Sequence, residues 1–132
     1  MDYSQLSDFE INVAVFEAIH NGSPDYKEGK NGAMVFISFE GDIVNGDAVE
    51  VEVERGSFNP CANPADAYPI ITENKISTMW MTAEKEWCAW SGGDLEEGCW
   101  EWGNIPDYCF CGESPLRAAM IVFLMMQDAN NA

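Results

Sequence analysis

The chain has 132 residues, 47% of them hydrophobic, with 23 acidic side chains against six basic ones and a net charge of −17. That length and apolar content suit a single domain over residues 1–132 with its own core, and they exclude disorder of the whole chain. The charge argues against direct nucleic-acid binding, which depends on neutralising phosphates, and against anionic membrane surfaces. It favours a basic partner, or else serves solubility alone.

The opening residues, MDYSQLSDFE, lack a basic segment followed by an apolar stretch, so no signal peptide is expected. The longest apolar run, Met120 to Met126, is too short to span a bilayer, and a cytoplasmic location is the expectation. A first helix is predicted from about Asp8 to His20, with Ser7 as N-cap and Glu10 completing a capping box. Leu6 is placed to pack on Asn12 or Val13. Phe9, Val13, Phe16 and His20 recur at helical spacing as the predicted packed stripe, with Ile19 beside them, and Asn21-Gly22 is the stop. Residues 21–32 are polar, with Pro24 and three glycines, and read as an exposed loop. Ala33 to Glu40 reads as a strand and Gly41 to Asp47 as a connection. Ala48 to Arg55 alternates strictly, with Val49, Val51 and Val53 on a buried face and Glu50, Glu52 and Glu54 on a wet one. The two strands are expected to pair as an antiparallel hairpin.

Asn63-Pro64 opens a second helix that carries Ala67, Ile70, Ile71 and Tyr68 and ends near Asn74. Pro69 is read as close enough to the first turn to cost little. Short strands are predicted at 76–81 and 86–90 around a turn at 82–85. Residues 91–114 read as mostly loop, with a short strand expected around Trp100. Ser114 caps the last helix and Pro115 occupies its first turn. Leu116 to Met126 is apolar except for Arg117, the pattern of a helix buried in the middle of its domain. The predicted class is α+β: a small, mainly antiparallel sheet with three helices, the C-terminal one buried.

Catalytic signatures are missing. The single histidine, His20, falls at a helix end, and any Ser–His–Asp arrangement would have to use it. No phosphate-binding glycine loop, H-E-x-x-H or G-x-S-x-G occurs, and Asp42 to Asp47 does not fit a calcium loop. No carboxylate pair stands out, so no enzyme is expected. The five cysteines are Cys61, Cys88, Cys99, Cys109 and Cys111. Their odd number, without an export signal, predicts reduced thiols. Cys109 and Cys111 form a C-x-C pair, which makes zinc the alternative. Cys88 and Cys99, with ten residues between them, form no matching knuckle, so the expectation is no metal, no cofactor and a fold that needs neither.

Tryptophan and acid are unevenly placed. Trp87, Trp90, Trp100 and Trp102, with Tyr108 and Phe110, crowd the predicted loop alongside Glu96 and Glu97. Either they roof the core, or they form an aromatic surface for a partner or ligand. Glu50, Glu52 and Glu54 form a second candidate surface. At about 6.8 Å spacing such a row could mimic DNA phosphates, although many solvated strand faces look alike.

Three stretches, MDYSQLSDFEIN, NPADAYPIITENKIS and SPLRAAMIVFLMMQ, in their order and spacing, resemble the NinX-like family encoded in lambdoid phages and enterobacterial prophages. Tyr68 stands where the family's middle stretch is expected to have Trp. The resemblance implies a phage or prophage origin and expression inside a bacterium, and it transfers no catalytic residue. The leading expectation is a non-enzymatic accessory protein that binds a host or phage protein, with DNA mimicry as a minor branch. The alternative is a small-ligand domain whose Trp-lined pocket stacks a nucleotide-like group.

Overall fold

The computed structural model describes residues 2–95 and 102–130, with no side-chain description at 94–95 and 102–104. After a single 3-10 turn at Tyr3–Gln5, helix α1 spans Asp8–His20. Its N-terminus carries the reciprocal capping box: the Glu10 N–H donates to Ser7 Oγ at 3.1 Å, and the Ser7 N–H donates to the Glu10 carboxylate at 3.0 Å. Asn21, in the left-handed region, ends the helix.

The buried face of α1 is not the predicted stripe. Ile11, Asn12 and Val15 are buried, whereas Phe9, Val13 and Phe16 are half-buried and His20 is exposed. The helix packs on two sides. Ile11 and Val15 join the core around the C-terminal helix. Phe16 meets Phe36 and Phe58, with ring centroids 5.0 and 5.5 Å away, and Phe9 meets Tyr26 at 5.9 Å. Asn12 is not the simple packing partner for Leu6 that the spacing predicts. It is a fully buried polar hub: its amide donates to Gly32 O at 2.9 Å and to Asn59 Oδ1 at 2.8 Å, and its carbonyl accepts from the Cys61 N–H at 3.1 Å.

The predicted loop at 21–32 contains strand β1 (Tyr26–Glu28) and a 3-10 turn at Lys30–Gly32. Strand β2 (Met34–Val44) and strand β3 (Asp47–Phe58) form the expected antiparallel hairpin, but it is longer than predicted. The presumed connection at 41–47 is strand up to a two-residue turn. In that turn Asn45 and Gly46 both have positive φ, 53° and 85°, as a type I′ hairpin turn requires. The register shifts between Phe36 and Ile37, at Arg55, so the ribbon bulges where it leaves the body. The order of this first sheet is β1-β2-β3.

Helix α2 (Pro64–Glu73) is capped by Asn63, whose side chain accepts from the Ala65 N–H at 3.0 Å. Ala67, Ile70 and Ile71 are buried as expected, whereas Tyr68 is 56% exposed. Pro69 is the sixth helical residue, beyond the first turn, so it withholds the hydrogen bond that the Ala65 carbonyl would otherwise receive. Ala65 is exposed and water can supply it.

Strands β4 (Ser77–Met81) and β5 (Glu86–Ser91) flank the predicted turn. The segment expected to be mostly loop carries β6 (Asp94–Leu95), β7 (Trp102–Asn104) and β8 (Tyr108–Gly112). Strand β8 pairs antiparallel with β5, giving a second sheet of order β4-β5-β8, and β6 pairs with β7. Helix α3 (Pro115–Asn130) bears out the expectation of a buried C-terminal helix. Ala118 to Leu124 are seven consecutive buried residues, with α1 and α2 against the helix and β8, β5 and β4 also in contact. Ser114 Oγ accepts from the Arg117 N–H at 3.2 Å. The Arg117 guanidinium reaches Leu6 O at 3.0 Å and Asp8 at 3.3 Å, tying the start of α3 to the N-terminal segment. The architecture is α+β, and no helix of the described residues is long and apolar enough to cross a membrane.

Two buried groups, Tyr3 in the N-terminal turn and Cys61 ahead of α2, give the fold an alkaline limit. Burial, then a hydrogen bond to Asp128, push the Tyr3 hydroxyl up to about 12 from 10.0. Burial, then Asp8, push the Cys61 thiol up to about 12 from 9.0. Both groups hold their protons more tightly folded than unfolded. Their stabilisation is therefore complete below pH 9.0 and is lost as the pH rises towards about 12. A melting temperature followed by circular dichroism is expected to fall across that window. Tyr3→Phe should remove the tyrosine share of the slope, and a flat profile through it would contradict the assignment.

Candidate functional site

Two regions bring unusual side chains together. The first is the distal hairpin, residues 37–54. Past Ile37, whose N–H still donates to Asp25 O at 3.0 Å, no strand among the described residues pairs with the far side of β2 or β3. The expected buried valine face is buried only at its base: Val53 is half-buried, whereas Val49 and Val51 are exposed along with the glutamates. The reason lies in the register. Glu52 stands opposite Phe39 and Glu54 opposite Ile37, while Val51 stands opposite Glu40 and Val49 opposite Asp42. Each face therefore mixes apolar and acidic groups, and neither suits burial against the body. Phe39 is 54% exposed and Ile43 73%.

Glu50, Glu52 and Glu54 do share one face of this arm. Lys27 clamps two of them, at 2.8 Å from Glu52 and 3.2 Å from Glu54, so the row is partly neutralised. Arg55 at the bulge pairs with Glu40 and donates to Ser38 Oγ at 2.8 Å. These pairs are exposed and contribute little stability. Their effect is to leave the tip of the arm the more negative end.

The second region is the β4-β5-β8 sheet. Ala89 and Phe110 lie opposite each other on the face packed into the core with α3. Tyr108 shares that face and is half-buried. Trp87 is half-buried and meets Trp80 edge to face at 5.6 Å; Trp80 is itself 45% exposed. Trp90 is buried, at 9%. The described members of the aromatic group thus divide. Trp90, Tyr108 and Phe110 pack, whereas Trp87 is reached through its contact with Trp80, a residue outside the candidate surface expected from the sequence. Glu96, Glu97 and Trp100 lie outside the described residues, as does the side chain of Trp102.

The opposite face of the same sheet carries sulfur. Cys88 on β5 pairs directly with Cys111 on β8, and Cys109, two residues earlier, projects to the same side. The three Sγ atoms lie within 4.8 Å of one another, with Cys88 and Cys109 3.4 Å apart. Burial, followed by the neighbouring thiols, pushes Cys88 well above the ordinary thiol range, and burial also raises Cys111. Thiols that burial holds protonated are poor nucleophiles, which argues against covalent catalysis, and a metal ion would have to displace their protons to bind. Sequence spacing misses this group because the third cysteine arrives by strand pairing. The one local signal is C-x-C inside a strand, which places both thiols on one face. Cys99 lies outside the described residues. His20 packs on Phe16, with ring centroids 4.3 Å apart.

A family model described as Bacteriophage P22, NinX matches residues 2–127. The chain belongs to this family. No curated protein and no solved structure matches it. Membership makes it a phage accessory protein and assigns no residue a role. In this NinX family member, a cleft of about 520 Å³ lies between α1, α2 and α3. Its lining includes Phe58, Phe123, Asp66 and Glu73 and has neither tryptophan nor a cation, so it is not a Trp-lined pocket and holds no positive group for a phosphate.

Proposed function

We propose that this NinX family member acts in the bacterial cytoplasm as a non-enzymatic protein-binding domain, and that the β2–β3 arm engages a basic surface on a host or phage protein. One observation carries the reading: large apolar side chains, Phe39 and Ile43, stand exposed among carboxylates on a ribbon that projects from the body. Burying such a side chain against a partner contributes about 1.5–3 kcal/mol, and the surrounding charge steers a cationic partner and repels nucleic acid. DNA mimicry is the narrower form of the idea. The Lys27 clamp on Glu52 and Glu54 works against it, because it breaks the regular spacing of free charge.

Affinity capture from the bacterial host, followed by binding measurements on the recovered protein, tests the proposal. A Phe39→Ala/Ile43→Ala variant should weaken binding by about 2 kcal/mol or more, roughly 30-fold, with the melting temperature nearly unchanged. Glu50→Lys should slow association and flatten its salt dependence. If both variants bind like the parent while Trp80→Ala and Trp87→Ala do not, the arm is the wrong surface and the aromatic sheet edge is the right one. Co-purification of a small molecule in place of a protein would favour the ligand-binding alternative.

A further inference from the structure

We propose that Cys88, Cys109 and Cys111 form a zinc site on the face of the β4-β5-β8 sheet that points away from α3. The ligands come from two adjacent hydrogen-bonded strands, so the backbone fixes their separation: Cys88 and Cys111 are direct cross-strand partners, and Cys109 is offset by one pleat. A tetrahedral zinc ion with Zn–S bonds of about 2.3 Å sets its sulfurs about 3.8 Å apart. The observed arrangement, 3.4 Å between Cys88 and Cys109 and all three within 4.8 Å, brackets that value. Small side-chain rotations suffice to close it. A disulfide at about 2.05 Å would instead draw two of the sulfurs together and leave the third unused.

The donor set selects the metal. Three thiolates suit a soft or borderline ion and not calcium or magnesium, which require oxygen ligands. Burial is graded across the site: Cys88 is buried, Cys111 half-buried and Cys109 exposed. The ion therefore enters from the exposed Cys109 side, beside Trp90, which stands opposite Cys109, and the three thiolates leave its fourth position open to a further ligand. Two strands are joined in the process. Strand β8 runs directly into α3 through Glu113 and Ser114, so an ion clamping β8 to β5 also fixes the start of the central helix. The site is independent of the β2–β3 arm.

The test uses the reduced full-length chain, stripped of metal with a chelator and titrated with zinc. Native mass spectrometry should show one bound zinc, and the melting temperature should rise with zinc concentration. Cobalt in place of zinc should give an intense near-ultraviolet thiolate charge-transfer band. Cys109→Ser and Cys111→Ser should each weaken zinc binding by more than about a hundredfold, beyond the loss typical of an outer-shell change, while Cys61→Ser leaves it intact. Cys88 is buried and its variant can fail to fold, so the two more accessible cysteines decide the outcome. Absence of both the zinc adduct and the cobalt band would overturn the proposal. So would a zinc adduct of unchanged affinity in the Cys109→Ser/Cys111→Ser double variant.

Discussion

Val122→Asp is expected to leave the chain unfolded. Val122 is fully buried within seven consecutive buried residues of α3, which touches α1 and α2 as well as β4, β5 and β8. A carboxylate introduced there has no cation to meet: the one basic residue of α3, Arg117, is occupied at Asp8 and Leu6, more than a helical turn away in sequence. An unpaired buried charge costs several kcal/mol even when the group escapes by protonation, against a typical domain stability of about 5–15 kcal/mol. Circular dichroism and size-exclusion chromatography should show loss of the cooperative transition. Ala129→Asp, on the exposed end of the same helix, serves as the control and should shift stability by no more than about 0.5 kcal/mol. A Val122→Asp protein that melts at the parental temperature would remove α3 from the centre of the fold.

Asn12→Leu should be the most damaging change outside α3. The substitution keeps the branching and heavy-atom count of the side chain, though with bulkier methyl groups, and strips a buried hub of three hydrogen bonds, stranding the Cys61 N–H, the Gly32 carbonyl and Asn59 Oδ1. Each buried group left unpaired costs about 1–3 kcal/mol, and the three share one site, so the sum falls short of full additivity. The expected loss is about 3–5 kcal/mol, a drop in melting temperature on the order of 10–20 °C. Asn12→Asp should not rescue it. The variant keeps an acceptor for the Cys61 N–H but loses the donor to Gly32 and Asn59 and buries a charge. A parental melting temperature for Asn12→Leu would mean that water or local rearrangement replaces all three bonds.

What the sequence disclosed follows the range of the interactions concerned. The capping box of α1 spans Ser7 to Glu10, and the burial of α3 is written in its own apolar run; both are decided within a few residues, and both are observed. Asn12 looks like an ordinary helical position because its partners, Gly32, Asn59 and Cys61, lie 20 to 49 residues away. The valine row of β3 alternates as a half-buried strand should. Its exposure depends on which residues of β2 stand opposite, and no single strand contains that information. Asn45-Gly46 is a strong hairpin signal, but Gly41 ahead of it makes the whole stretch from 41 to 47 resemble a longer connection. The cysteines behave the same way: Cys109 and Cys111 are linked by local spacing, but Cys88 joins them only through the β5–β8 register.

The β2–β3 arm also bears on how the protein behaves in concentrated solution. A two-stranded ribbon has two open edges, each a row of backbone donors and acceptors that another chain could continue. Phe39, Ile43, Val49 and Val51 give this ribbon the β-propensity of an aggregating segment. Glu40, Asp42, Asp47, Glu50, Glu52 and Glu54 alternate with those residues along both strands, so two copies approaching edge to edge bring like charges together, most of all at the tip, where Asp42, Asp47 and Glu50 have no ion pair among the described residues. The carboxylates thus act as gatekeepers against polymerisation, and high salt, which screens them, is the condition under which molecules would begin to add to one another through the arm.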